Sequence, residues 1–315
     1  MLTDPERPLV ALATIDAATR SLLATAEGFD DGDVRAASLL PGWTRGHVLT
    51  HIARNAAGGT RLLTWARTGV ESYEYPSMEA RAAEIDAGAG RPAAELVDDV
   101  RESARRFADA YALMPDEAWA RTVQWTSGAR HPAARAADAR LTEVLVHHVD
   151  LDAGFTPRDW PAAFTSRALD SVAAAFARRA DAPRLRLRAT DTGRELGEAE
   201  TVGTGESKAV GDGEASRASE ATRTGDGEAT RTGYGDATRA GEALGNTGAV
   251  RAGEALGDAG ASVDGGASGA GGGPGDGDGL VVVAGAEASL LAWLMGRSRG
   301  EDLTGAAGVT LPFLY

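Results

Sequence analysis

The segment Arg140–Leu151, RLTEVLVHHVDL, places Glu143 and His147 four residues apart in a chain with only five histidines. On a helix, that spacing projects both side chains from one face about one turn apart, so a carboxylate and an imidazole can meet a single cation. Arg140 and Asp150 fall on the same narrow stripe, while Leu141, Val144, Leu145, Val146, Val149 and Leu151 take most of the remaining circumference. A helix with that pattern is buried nearly all round, so its polar stripe either faces solvent through a gap or lines an internal space. The pair alone is equally compatible with a solvated stripe or a simple Glu–His hydrogen bond, because short motifs recur by accident. His51 adds a third donor on a separate helix, and helical bundles build metal sites from inward-facing carboxylates and imidazoles. Two nitrogens and one oxygen leave a fourth position open for water or substrate, the ligand count of a catalytic zinc site. His47 shares the face of His51 and competes with it as a ligand. His148 points about 100° from His147 and is expected to pack or to support the ligands from behind. His131, before Pro132, reads as a loop residue without a role.

The elements that must hold these residues are helices over the first 155 or so residues. Leu9, Leu12, Asp16, Thr19, Leu22, Leu23 and Ala26 recur at helical spacing in a first helix. After a Pro-Gly turn, Thr44 is the expected N-cap of a second, which carries Val48, Leu49, Ile52, Ala56 and Leu63 on one side and His51 on the other. A third runs from Pro92 with Leu96, Val100, Phe107, Tyr111 and Met114 at helical spacing, and a fourth starts after Pro132 and ends near Gly154. Four such helices predict a four-helix bundle over residues 1–155.

Residues 156–315 change character. A fifth helix over AAFTSRALDSVAAAFARRA leads to PRLRLRATD, whose Leu/Arg alternation predicts a half-exposed strand. Near the C-terminus, LVVVAGAEASLLAWLMGR reads as strand, turn and a helix ending at Gly296, so a small α+β domain is expected. An insertion over 197–279 interrupts it, with 24 of the chain's 41 glycines and repeats such as ATRTGDGE, ATRTGYGD and ATRAGEAL. Such units offer almost no large apolar side chain to stack, which predicts disorder. With 15 acids against 6 bases, the insertion supplies −9 of the formal −14 and leaves the remainder only mildly acidic.

Composition narrows the function classes. A net charge of −14 argues against nucleic acid and anionic membrane as partners, and small molecules become the better expectation. There is no cysteine, so any thiol chemistry has to arrive with a cofactor. The first residues lack the basic and apolar regions of a signal peptide, and no apolar run reaches membrane-spanning length, so a cytoplasmic monomer is expected.

LPGWTRGHVLTHIARNA, RLTEVLVHHVDL and LLAWLMGR resemble, in order, the three signature stretches of the mycothiol-dependent maleylpyruvate isomerase family. The resemblance implies a DinB-like N-terminal bundle in which His51, Glu143 and His147 bind a divalent metal, zinc above all. It also implies that Arg297, in MGRSRG, is an active-site arginine that grips a substrate carboxylate; the family aside, a cation at a helix C-terminus is an ordinary answer to the helix dipole. By that resemblance the reaction is the cis-to-trans isomerisation of maleylpyruvate to fumarylpyruvate with mycothiol as the thiol. The rivals are a mycothiol S-transferase acting on other electrophiles and a non-catalytic metal-binding or thiol-sensing module. The chain departs from the family pattern after ATDTGR, where it reads ELGEAE and enters the insertion. All three metal ligands lie in the bundle and Arg297 lies outside it, which predicts that metal binding and the role of Arg297 are separable.

Overall fold

Helical periodicity dictates the first half of the molecule. A computed structural model describes residues 8–197 and 279–312, so the insertion expected at 197–279 falls almost wholly outside the described residues. Helix α1 (Leu12–Ala26) buries Ile15, Ala18, Thr19, Leu22 and Ala26. The buried stripe thus passes through Ile15 rather than Asp16, and Leu9 is exposed. Helix α3 (Arg45–Thr68) starts where expected: the Thr44 hydroxyl accepts the His47 N–H at 3.3 Å, and His47 Nδ1 accepts the Thr44 N–H at 3.1 Å. Gly69, at φ 79°, closes it in a left-handed conformation that favours glycine. Helix α5 (Ala93–Ala112) buries Leu96, Val100, Ser103 and Phe107 along one face. Helix α6 (Ala134–Asp150) has fourteen of its 17 residues buried. Helices α1, α3, α5 and α6 pack in a ring, α1 on α5 and α6, α3 on α5 and α6.

Smaller elements were not evident in the sequence pattern: α2 (Asp31–Arg35), α4 (Met78–Ala89), and a hairpin of β1 (Thr122–Gln124) with β2 (Arg130–Pro132). Helix α4 buries only Arg81, Ile85 and Ala89, and a charged residue on so narrow a stripe hides its period. It reaches α3 closely because Gly46 has no side chain; a Cβ there would meet the Ala89 carbonyl oxygen at 2.2 Å.

Helix α7 (Ala162–Ala177) leads to a three-stranded sheet of order β4-β3-β5. β3 (Arg184–Ala189) pairs antiparallel with β4 (Glu195–Gly197) and parallel with β5 (Leu280–Gly285). The central place of β3 explains why Arg186, expected on an open face, is buried. Helix α8 (Glu287–Leu294) packs on α7. One contiguous cluster of buried apolar residues runs from Val10 to Ala306, joining both halves. Among the described residues no helix is long and apolar enough to cross a membrane.

Candidate metal centre

The end of α6 is fixed before it presents any ligand. Arg45 donates from Nε to the Leu151 carbonyl at 2.6 Å and from Nη2 to Asp152 at 2.7 Å, answering carbonyls that the helix leaves open. The Leu39 N–H reaches the Asp150 carbonyl at 3.0 Å. Upstream, Arg140 donates from Nη1 to the Ile52 carbonyl and to Asn55 Oδ1, locking α6 to α3 beside His51.

His51, Glu143 and His147 converge across that seam and are 1%, 3% and 2% exposed. His51 Nε2 lies 2.9 Å from Glu143 Oε2 and 3.0 Å from His147 Nε2, and His147 Nε2 lies 3.3 Å from the same carboxylate oxygen. Donor atoms sharing a tetrahedral zinc at roughly 2.0–2.1 Å stand about 3.3 Å apart, so this triangle fits such an ion. Burial works against the ionised Glu143, but the two imidazoles outweigh it and hold the carboxyl well below its usual range. Burial, with His147 and Arg81 nearby, pushes His51 down to about 3 and keeps it neutral. Burial also opposes a charged His147, yet its bonds to Asp150 and Glu143 carry its pKa above the ordinary imidazole value.

The two histidines are prepared differently. His147 Nδ1 lies 2.8 Å from Asp150 Oδ2; a carboxylate only accepts, so the proton sits on Nδ1 and the Nε2 lone pair is free for a cation. Asp150 is 0% exposed and in turn receives Arg297, from Nε at 3.1 Å and from Nη2 at 3.0 Å. Arg297 reaches it from the far half of the chain because Gly296, at φ 71°, ends α8 in a Schellman turn, with the Arg297 N–H on the Ala292 carbonyl at 2.8 Å. The structure joins what the sequence pattern kept apart: Arg297, Asp150 and His147 form one chain of contacts. His51 Nδ1, by contrast, faces Arg81 Nη2 at 3.0 Å. A guanidinium only donates, so in this arrangement the His51 proton is on Nε2, and committing Nε2 to a cation obliges Arg81 to find another acceptor.

Residues 15–152 match the family model of the mycothiol maleylpyruvate isomerase N-terminal domain. The helical half belongs to that family. Two solved structures, a mycothiol-dependent maleylpyruvate isomerase and its His-to-Ala mutant, superpose with TM-scores of 0.66 at 21% and 20% identity, each pairing 96% of this chain with 93% of its own. At that identity the likeness establishes the fold. No curated protein matches by sequence.

Within the mycothiol maleylpyruvate isomerase domain the remaining histidines stay out of the triad. His47 is held by Thr44 and sits 3.8 Å from Asp86, outside the cluster that His51 forms with Glu143 and His147. His148 stacks on Phe155 with ring centroids 3.8 Å apart and meets Thr25 Oγ1 at 2.8 Å, a packing role. His131 is buried in β2 edge-on to Trp125, not in a loop. Trp43 lies edge-on to His51 at 5.7 Å. Two residues beside the triad carried no chemical motif, Tyr75 and Arg81. For Arg81 the only signal is its place four and eight residues before Ile85 and Ala89 on a buried stripe.

Proposed function

We propose that this chain is a mycothiol-dependent maleylpyruvate isomerase, cytoplasmic and monomeric, with residues 1–155 as a DinB-like metal-binding bundle and 156–315 as the α+β domain that completes the site. The single observation that carries the reading is the buried convergence of His51, Glu143 and His147, inside a domain of that family. His51 Nε2, His147 Nε2 and one Glu143 oxygen would hold the cation, zinc by the two-nitrogen, one-oxygen donor set. When bound, the cation supplies Lewis acidity, which favours a thiolate at neutral pH or an enolate oxygen on the substrate.

The chain has no cysteine, so the nucleophile is the thiol of mycothiol. Its thiolate sulfur adds to one alkene carbon of maleylpyruvate, and the π electrons move into the conjugated carbonyl as an enolate. The former double bond is now single and rotates; return of the enolate electrons expels the thiolate and leaves the trans alkene, with no net change in atoms or electrons. Asp150 keeps His147 in the tautomer that exposes Nε2. Burial of the triad excludes bulk water, which strengthens every charge interaction there. Arg297 keeps one N–H on each of Nη1 and Nη2 beyond its bonds to Asp150 and the Met295 carbonyl, and these are the donors it would offer a substrate carboxylate.

The test is turnover of maleylpyruvate by the zinc-loaded protein with and without mycothiol. Conversion to fumarylpyruvate only when mycothiol is present is the expected result. Conjugation of mycothiol to other electrophiles without isomerisation would replace this reading with an S-transferase, and metal binding without either activity would replace it with a binding module.

A further inference from the structure

Beside the triad lie two buried cations without counter-ions. Arg81 and Arg140 are each 2% exposed, and neither forms an ion pair with a carboxylate among the described residues. Among the described residues Arg140 Nη2 and Arg81 Nη1 meet no acceptor, and the hydroxyl of Tyr75, a residue 3% exposed, has no partner either. The three belong to one neighbourhood. The Arg81 guanidinium lies 5.8 Å from the centre of the Tyr75 ring, and Tyr75 feels the charges of Arg81 and Glu143, as Arg140 feels those of Glu143 and Tyr75.

Burying an unpaired guanidinium is costly, and an apolar side chain of similar length is often as stable or more so. The lock of α6 to α3 uses only Arg140 Nη1, and packing does not explain the unmatched Arg140 Nη2 and Arg81 Nη1. Arg297 and Asp150 neutralise one another, which leaves two guanidiniums facing Glu143 and the buried Glu74 before a divalent cation adds its charge. With a divalent cation bound the interior carries net positive charge, a local device for holding anions in a chain of net charge −14. The His51 tautomer points the same way: once Nε2 is a ligand, Arg81 loses its acceptor on Nδ1 and is released toward another.

We propose that Arg81, Arg140 and Tyr75 form an anion-recognition recess on the wall of the metal centre, built for one carboxylate of a small dicarboxylate. The planar forks of the arginines match a carboxylate, and the tyrosine O–H supplies a further donor. Naming the ligand as a dicarboxylate rests on the isomerase reading; the recess itself rests on the unmatched donors. It is distinct from Arg297, whose fork is on Asp150.

The probe is maleate, added to the zinc-loaded full chain and followed by calorimetry, by Trp43 fluorescence and by thermal unfolding. Maleate is expected to bind and raise the melting temperature, and acetate at the same concentration to do so far less. Arg140→Met and Arg81→Met should each weaken maleate binding at least about tenfold with zinc content unchanged, and Tyr75→Phe should weaken it about fivefold. In turnover, Arg81→Met should raise the KM for maleylpyruvate and leave that for mycothiol in place. Wild-type affinity for maleate in Arg140→Met overturns the recess, as does failure of the unmutated protein to bind maleate. If Arg140→Met does not fold, Tyr75→Phe decides, since it removes one hydroxyl and nothing else; unchanged affinity there overturns the proposal. Maleate binding without isomerase activity would support the recess while removing the isomerase reading, so the two failures are told apart.

Discussion

At the scale of single residues, the spacing of Glu143 and His147 already brought the two side chains together, because i and i+4 on a helix leave little freedom in where they meet. Spacing alone left His51 and His47 open, and only the family resemblance favoured His51: both lie on one face of α3, and what separates them is the cap, in which Thr44 occupies the His47 ring. Arg81 was invisible because its proximity to the triad is created by the packing of α4 on α3, and Tyr75 because it lies in the irregular segment before α4, with no local pattern to mark it. Each of His51→Ala, Glu143→Ala and His147→Ala is expected to abolish stoichiometric zinc while leaving far-ultraviolet circular dichroism helical; full occupancy in Glu143→Ala would remove it from the ligand set. A proton prediction follows from the unequal histidines. His51 stays neutral down to about 3, whereas His147 holds its proton above the usual imidazole range. Cation binding therefore displaces one proton, from His147, once the pH lies below its raised pKa. Zinc affinity, read by chelator competition between pH 5 and 6, below the ordinary imidazole value, should fall about tenfold per pH unit on acidification. A hundredfold slope would mean that His51 is protonated as well.

At the scale of elements, long helices with a single apolar stripe were legible and short or mixed ones were not. Helix α5 shows its stripe at Leu96, Val100 and Phe107, while α2 is five residues long and announces itself only through the Asp30 cap, which accepts the Gly32 and Asp33 N–H groups. The chain just before α1 is tied to α6 by a half-buried carboxylate: the Val10 N–H donates to Asp138 Oδ1 at 3.0 Å. Burial pushes Asp138 up to about 6, against the bond from Val10 and the charge of Arg167. An acid whose folded pKa exceeds its unfolded one binds its proton more tightly when folded, so this tie loses stability as pH rises from about 4 to 6 and is weakest above that. Asp138→Asn keeps an acceptor for Val10 and removes the charge. The variant should match the parent near pH 4 and exceed it at pH 8 by up to about 3 kcal/mol in denaturant unfolding. Equal stability at pH 8 would mean that Asp138 is ionised in the fold at no cost.

At the scale of the whole molecule, the change from helices to strands after α7 was legible, but the joint between the halves was not, since neither the shared apolar core nor the Arg297–Asp150 contact leaves a mark on local sequence. The sheet shows what the insertion interrupts. Gly197, the end of β4, pairs with Arg186, and Leu280, the start of β5, pairs with Arg184, so both chain ends lie at the same end of the sheet, on opposite sides of β3. Two strand spacings are about 10 Å, a span that about six residues cross with ease. Replacing residues 198–278 with such a linker should keep soluble expression and stoichiometric zinc, and aggregation of that variant would show that the removed residues are needed to fold. Arg297 gives the sharper test of how the halves cooperate. If its one role is to grip a substrate carboxylate, Arg297→Ala lowers turnover by about a hundredfold and leaves zinc affinity alone. The geometry argues for more, because Asp150 is wholly buried and loses its counter-cation in that variant, a change worth about 3 kcal/mol of folding stability. The same loss frees Asp150 to move, and with it the ring of His147, which should weaken zinc binding about ten- to a hundredfold. Asp150→Asn should weaken zinc binding comparably, and in the double variant the penalties should not add, since both residues act through one ring. Unchanged zinc affinity in Arg297→Ala would return the arginine to the substrate alone.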